Sequence, residues 1–565
     1  MFTRSLTHSC LWRARYRNKP LALALALRDV IVVLETRKKE DSCSFHLNLI
    51  VMSHEIWNYA VGNQLTPIEQ NGFKQYKRIA IILPLLLTGN GSDWETQFVQ
   101  EEIQQAFKKA IETWPFLCCS VRTGVAERGK LTLVGKPAEY MDAQSEQLDP
   151  HGRPRIEYGL DEKLAQLKSN SLGAGFFRSE AGLSLATGMP IVMVKFSLLR
   201  DFLVVGFSFY EAVVDGEFIG RFFSRMINLT WSSEANRVRY RLSPQMIDYR
   251  WPHAADEVRH WYRWTFNPST GPSNRHLFSF YDWHDRRLVP QITPKDRLVC
   301  RLIEFKKAFV TDLIGHIRQK IGSSVPGYKD EYFVVAMLWV TIIQARFLKR
   351  RIGTEDTARL NILLPGQPNA LRGGEPDLGY FGSSTVPTVA ELSVPRLLNP
   401  ANQHKPNDFQ GEIRPKDSVQ WLANAASAIH WAINKVDVNY VRHLMAFKEG
   451  VRPHEDSMAY NRAIDRHRTG MVFEDWSGYS SDEVIGTPFT TGRAAAFLPC
   501  ADDKEEGKIV LLPQRRGPDA RENEIGWATW VCLDVEEMPV VLELLDFQHW
   551  IIGEAAANMN TMGSS

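Results

Sequence analysis

The segment Tyr210-Glu-Ala-Val-Val-Asp-Gly216 gathers the residues best suited to chemistry. Phe202–Phe209 before it is an apolar run, the pattern of a strand buried on both faces. After it, Phe218, Ile219, Phe222, Phe223, Met226 and Ile227 recur at helical spacing. The segment is therefore expected on a turn between a buried strand and a helix, where rigid elements on both sides hold side chains in place. Glu211 is the candidate catalytic residue. An ordinary glutamate, with a pKa of ~4.3, is a weak base at neutrality. Burial in a dry cleft raises a carboxyl by several units, which turns it into a base or, when protonated, an acid. The competing reading gives this carboxylate no chemical role. Gly216 lets the chain turn tightly into the helix.

Other chemistries find less support. There is no HExxH spacing and no CxxC pair, so no metal site is expected. Gly206-Phe-Ser208-Phe-Tyr210 lacks the final glycine of a nucleophile elbow. No GxxxxGK[ST] loop is present to cradle phosphates. His253, His260, His276 and His284 lie among Trp251, Trp261, Trp264 and Trp283, a mixture that suits an acceptor pocket or interdomain packing. The seven cysteines are Cys10, Cys43, Cys118, Cys119, Cys300, Cys500 and Cys532. Their scatter and odd number fit buried, reduced thiols in an intracellular protein.

The elements around the turn read as mixed α/β. Ile79–Leu87, the pair Cys118–Thr123 and Lys130–Val134, and the pair Met193–Leu198 and Phe202–Phe209 are expected strands. A helix should run from Asp93 to about Trp114. Later strands are expected at Asp296–Phe305, Leu360–Leu364, from Val472 and over Glu522–Leu533. Helices are expected at Lys306–Ile321, Asp330–Lys349, Ser418–Lys435 and from about Glu536. The chain of 565 residues is too long for one ordinary core. Its formal net charge of +2 supplies no field to gather nucleic acid or an anionic membrane.

Residues 1–51 differ from the rest: basic residues precede a short Leu-Ala run flanked closely by charge. That run is too short to span a bilayer as a helix. The segment reads as unstructured or appended, with a mitochondrial presequence as the lesser alternative to a cytoplasmic protein.

Several segments together resemble the BAHD acyltransferases, in particular the fungal branch that includes trichothecene acetyltransferases. Leu65-Thr-Pro-Ile-Glu-Gln70 is similar to the family's opening LSPxDQ, and Tyr210–Gly216 to its HHxxxDG. Asp330–Arg346 resembles its second-domain helix. Pro365–Leu371 resembles DGRxRL, Gly379–Ser383 resembles YFGN, and Asp482–Pro488 sits where DFGWGKP belongs. The order of the segments carries the resemblance more than any one of them. It implies two similar-sized mixed α/β domains of the chloramphenicol acetyltransferase type with a channel between them. Acyl-CoA would enter from one face and a small-molecule acceptor from the other.

In that family a histidine takes the acceptor's proton, and here its place is held by Glu211. Asp215 matches an aspartate that pairs with the arginine of DGR, which is replaced by Gln367. Of the DFGWG segment, Asp482, Gly486 and Pro488 remain. Asp215, Gly216, Gln367, Asp482 and Gly486 are thus expected to be structural residues near the site.

The expected organisation is an acyltransferase-like domain at 52–245, a crossover at 246–295, a second such domain at 296–550 and a tail at 551–565. The leading expectation is an acyl-CoA-dependent O-acyltransferase of secondary metabolism, working as a monomer with no tightly bound cofactor. The alternatives are a repurposed enzyme that performs cyclisation, dehydration or isomerisation without CoA, and an inactive metabolite-binding homologue.

Overall fold

The computed structural model describes chiefly residues 74–85, 114–123, 131–135, 174–199, 202–230, 293–321, 329–364, 385–398, 415–437, 468–479, 496–513 and 525–547. It adds the helical residues 101–107 and 109–111, three strands between 25 and 53, and a few single positions. The three strands are β1 (Leu25–Leu27), β2 (Val30–Glu35) and β3 (Asn48–Ser53). They form an antiparallel sheet whose members pair only with one another. Part of the segment read as unstructured therefore has regular backbone.

The first half is built on β4 (Tyr76–Pro84), β8 (Val192–Leu199) and β9 (Phe202–Tyr210), with β5 (Cys119–Thr123), β6 (Leu131–Gly135) and the two-residue β7 (Met189–Pro190) in a neighbouring sheet. Every residue of β9 is buried, as its unbroken apolar run requires. Gly206 sits in its middle because a Cβ there would collide with the carbonyl of Phe176, which crosses the strand. Helix α1 (Gly216–Thr230) follows and lays Phe218, Ile219, Phe222, Phe223 and Met226 inward. Its rings meet those of β9 edge-on, with Phe209–Phe222 centroids 5.5 Å apart and Phe207–Phe223 centroids 5.2 Å apart.

The second half contains β10 (Leu298–Lys306), α2 (Lys307–Ile321), α3 (Asp330–Leu348), β11 (Thr357–Leu364), β12 (Val386–Ser393), α4 (Pro415–Asn434), β13 (Gly470–Asp475), β14 (Ala496–Pro499), β15 (Lys508–Leu511), β16 (Ile525–Asp534) and α5 (Met538–Phe547). Six of its strands make one sheet in the order β10-β16-β15-β13-β11-β12. Helix α3 is apolar on all sides and fully inserted in the core, with Phe333 to Ala345 nearly all buried. Among the described residues it is the one helix long and apolar enough to cross a membrane, and most of it is covered by protein.

Strand alternation divides the six-stranded sheet into two working faces. Ile303, Phe305, Met471, Phe473, Ile509, Leu511, Val531 and Leu533 pack with the helices of their own half. Cys300, Val510, Trp530 and Cys532 point the other way, into the core formed by β4, β9 and α1. The halves also share a strand, since β14 pairs antiparallel with β4 and completes the order β14-β4-β9-β8.

The mixed α/β architecture is as expected, and most elements fall within a few residues of their expected spans. The sequence reading did not anticipate β12, β14 or β15. Gln367, Asp482, Gly486, the histidine–tryptophan stretch and the tail lie outside the described residues.

Candidate active site

Tyr210 ends β9, and the amide of Glu211 still donates to the Gln75 carbonyl at 3.0 Å, extending the ladder by one bond. The amides of Val213 and Val214 then turn back onto the Tyr210 carbonyl. Asp215 closes the turn as the N-cap of α1. Its Oδ1 accepts from the Phe218 amide at 3.0 Å, and its carbonyl accepts from the Ile219 amide at 2.9 Å. Glu211 is thus pinned at both ends, by a strand before it and a capped helix after it.

The side chain of Glu211 is held as firmly. Lys77 Nζ lies 3.3 Å from Oε1, and Gln75 Nε2 donates to Oε2 at 3.0 Å. Lys77 sits on β4, and its ammonium also reaches Glu474 Oε2 at 2.9 Å. Glu474, on β13, binds Lys508 of β15 through its other oxygen at 2.9 Å and accepts from the Trp476 indole at 3.1 Å. The result is an alternating chain, Glu211–Lys77–Glu474–Lys508, that runs from the first-half sheet into the second-half sheet. It is well shielded: the Glu211 side chain is 10% exposed and that of Glu474 6%. Charges taken from water require such pairing.

The pKa directions follow from that competition. Burial opposes ionisation of Glu474, but the Lys508 and Lys77 ammonium groups outweigh it and hold the carboxyl well below the usual range. Burial works against the Lys77 charge too, yet Glu474 and then Glu211 raise it well above the ordinary lysine value. Lys508 is raised against its own burial, with Glu474 contributing more than Glu211. Tyr479 stacks on Trp476 with ring centroids 5.5 Å apart, and burial pushes its phenol up strongly. Trp476 in turn presents its ring to Lys77, 5.8 Å from the ammonium.

Of the residues singled out by sequence, the fold brings Glu211, Asp215 and Gly216 together at the entry to α1. Lys77, Glu474 and Lys508 escaped the sequence reading. A signal for Glu474 did exist: it is an acid on the inward side of Val472-Phe-Glu, where alternation demands an apolar residue. Chemically, the turn offers one oriented carboxylate. Each oxygen already holds one donor, and a carboxylate has about four lone-pair positions, so a hydroxyl can still be accepted. Among the described residues no three His, Cys, Asp or Glu side chains converge as a metal set.

No family model and no curated protein sequence matches the chain. Solved structures do match its fold. TRI101 of F. graminearum, complexed with coenzyme A and T-2 mycotoxin, aligns over 87% of this chain and 99% of its own, with a TM-score of 0.61 and 11% identity. The same protein with coenzyme A and deoxynivalenol gives a TM-score of 0.61 at 12% identity over 87% and 99% of the two chains. TRI3 trichothecene 15-O-acetyltransferase from Fusarium sporotrichioides aligns over 86% and 95%, with a TM-score of 0.51 and 10% identity. The chain therefore has the mixed α/β fold of these proteins along most of its length. Identity this low speaks to the fold alone.

Proposed function

We propose that this protein is an acyl-CoA-dependent O-acyltransferase that acts on a small-molecule acceptor of secondary metabolism, with Glu211 in the place of the general base. One observation supports this above the others: an oriented, shielded carboxylate stands at the strand–helix turn of a fold that relatives in shape use with coenzyme A bound. In the proposed reaction Glu211 takes the proton of the acceptor hydroxyl as its oxygen attacks the thioester carbonyl. The tetrahedral intermediate collapses, the carbon–sulfur bond breaks, and the CoA thiolate recovers the proton from Glu211. Lys77 and Gln75 orient the carboxylate, and Asp215 and Gly216 fix the turn. Gln367, Asp482 and Gly486 belong to the surrounding frame in this reading.

The test is release of CoA thiol from acetyl-CoA in the presence of a panel of alcohols. Glu211→Gln keeps the shape and the Gln75 neighbour, and should lower the rate by about 10²–10⁴-fold, the range of general base catalysis. No thiol release with any alcohol, or full activity in Glu211→Ala, would sink the proposal.

A second reading is favoured by a specific feature. Both oxygens of Glu211 are already engaged, and the Lys77 that engages one of them belongs to a chain bridging the halves. A protein that uses this fold to bind or rearrange a metabolite without CoA would have such a locked carboxylate. Melting curves with CoA and acetyl-CoA separate the two. Saturating ligand at about 100-fold its Kd adds ~2.7 kcal/mol of stability and a clear upward shift, and the CoA-free reading gives none.

A further inference from the structure

We propose that Cys300 and Cys532 form a redox-active dithiol that a peroxide closes to a cross-strand disulfide. The proposal is independent of the acyltransfer reading. Cys300 lies on β10 and Cys532 on β16, and the antiparallel register sets them directly opposite each other. Opposed residues in such a pair have Cα atoms about 4.5–5.5 Å apart. That falls inside the ~4.4–6.8 Å window of disulfides. Both side chains leave the sheet on the same face and enter the same core cluster.

The two thiols are not equivalent. β10 is the edge of the six-stranded sheet, whereas β16 is flanked on both sides. Cys300 keeps 7% of its surface exposed and Cys532 1%, so the edge cysteine meets an oxidant first. Electrostatics point the same way. The facing Cys532 thiol lowers the Cys300 thiol against the opposing effect of burial, and Lys504 and Lys508 add to the lowering. Cys532 is pushed up by the facing Cys300 and by burial. Cys300 is then the attacking sulfur and Cys532 the resolving one.

The chemistry balances with hydrogen peroxide as the two-electron oxidant. The Cys300 thiolate attacks one peroxide oxygen, the O–O bond breaks, and a sulfenic acid and one water result once a proton is taken up. The Cys532 sulfur then attacks the Cys300 sulfur, the S–O bond breaks, and the second water leaves as the disulfide forms. Two thiols and one peroxide give one disulfide and two waters. A thiol reductant reverses the step by exchange. The other buried free cysteines are placed differently. Cys119 faces Gly135 across its ladder, and the Cys500 thiol is pushed up to about 11, chiefly by burial. They serve as internal controls.

The native protein is exposed to hydrogen peroxide, acid-quenched, unfolded, alkylated with N-ethylmaleimide and digested for mass spectrometry. The expected product is a peptide pair joined through Cys300 and Cys532, two hydrogens lighter, abolished by dithiothreitol, with Cys119 and Cys500 still fully alkylated. In Cys532→Ala the reaction should stop at a Cys300 sulfenic acid that dimedone traps. Full alkylation of both cysteines in the oxidised wild type overturns the proposal. So does further oxidation of Cys300 without a cross-link.

Discussion

Glu474 holds two ammonium groups at 2.9 Å each, closer than the second acids they also meet, Glu211 at 3.3 Å from Lys77 and Glu505 at 3.6 Å from Lys508. Glu474→Gln should therefore cost about 3–5 kcal/mol, the penalty for breaking a buried pair, read from urea unfolding at neutral pH. The pH dependence has a definite sign. The native carboxyl of Glu474 is held below the ordinary value of ~4.3. Its contribution is thus complete above about pH 5 and is lost as pH falls through the native pKa. Lys77 is raised above ~10.4, so its contribution is complete below that value and is lost as pH rises past it. Urea midpoints of the wild type should form a plateau between these limits, and Glu474→Gln should weaken the acid decline. At this scale the turn that carries Glu211 and Asp215 was legible, because a strand, a turn and a helix follow one another locally in sequence. Lys77 and Lys508 were not, because a lysine acquires its meaning from a partner the fold supplies: Glu474 is distant in sequence from Lys77 and on a separate strand from Lys508.

The element that decides the geometry of the site is α1, and its register depends on Asp215. Replacing that N-cap, as in Asp215→Ala, should cost ~0.5–2 kcal/mol in chemical denaturation. It should also disturb any activity that depends on Glu211, since the turn loses one of its two anchors. Elements with strong periodicity were easy to read: the apolar run of β9, the aromatic stripe of α1 and the all-round apolar α3. Of the strands that were missed, β12, β14 and β15 lack such a signal. β14 and β15 have only four residues each. β12 carries Pro387 inside the run, yet it is an edge strand, where a missing amide is tolerated.

Across the whole molecule, the two halves are joined by more than a linker. They share the β14 strand, a common core cluster and the Glu211–Lys77–Glu474–Lys508 chain. The β1–β3 sheet stands apart from this, because its strands pair only among themselves. Deleting residues 1–53 should leave a soluble protein with an unchanged melting temperature. A fall of several degrees would show that the small sheet supports the rest. The interlocking was not legible in the sequence, because β14 is a four-residue strand and, of the four residues in the ion chain, only Glu211 lies in a motif.

That borrowed strand has a consequence for how the protein is made. β4 can be completed on its open side only after β14 has been synthesised, roughly 400 residues later. At ~5–20 residues per second the ribosome needs about 20–80 s to cover that distance. Throughout that interval the nascent chain carries an apolar strand with one row of amides and carbonyls unpaired, the kind of edge that recruits wrong neighbours. A cell producing this protein must keep that edge occupied or isolated until the second half arrives.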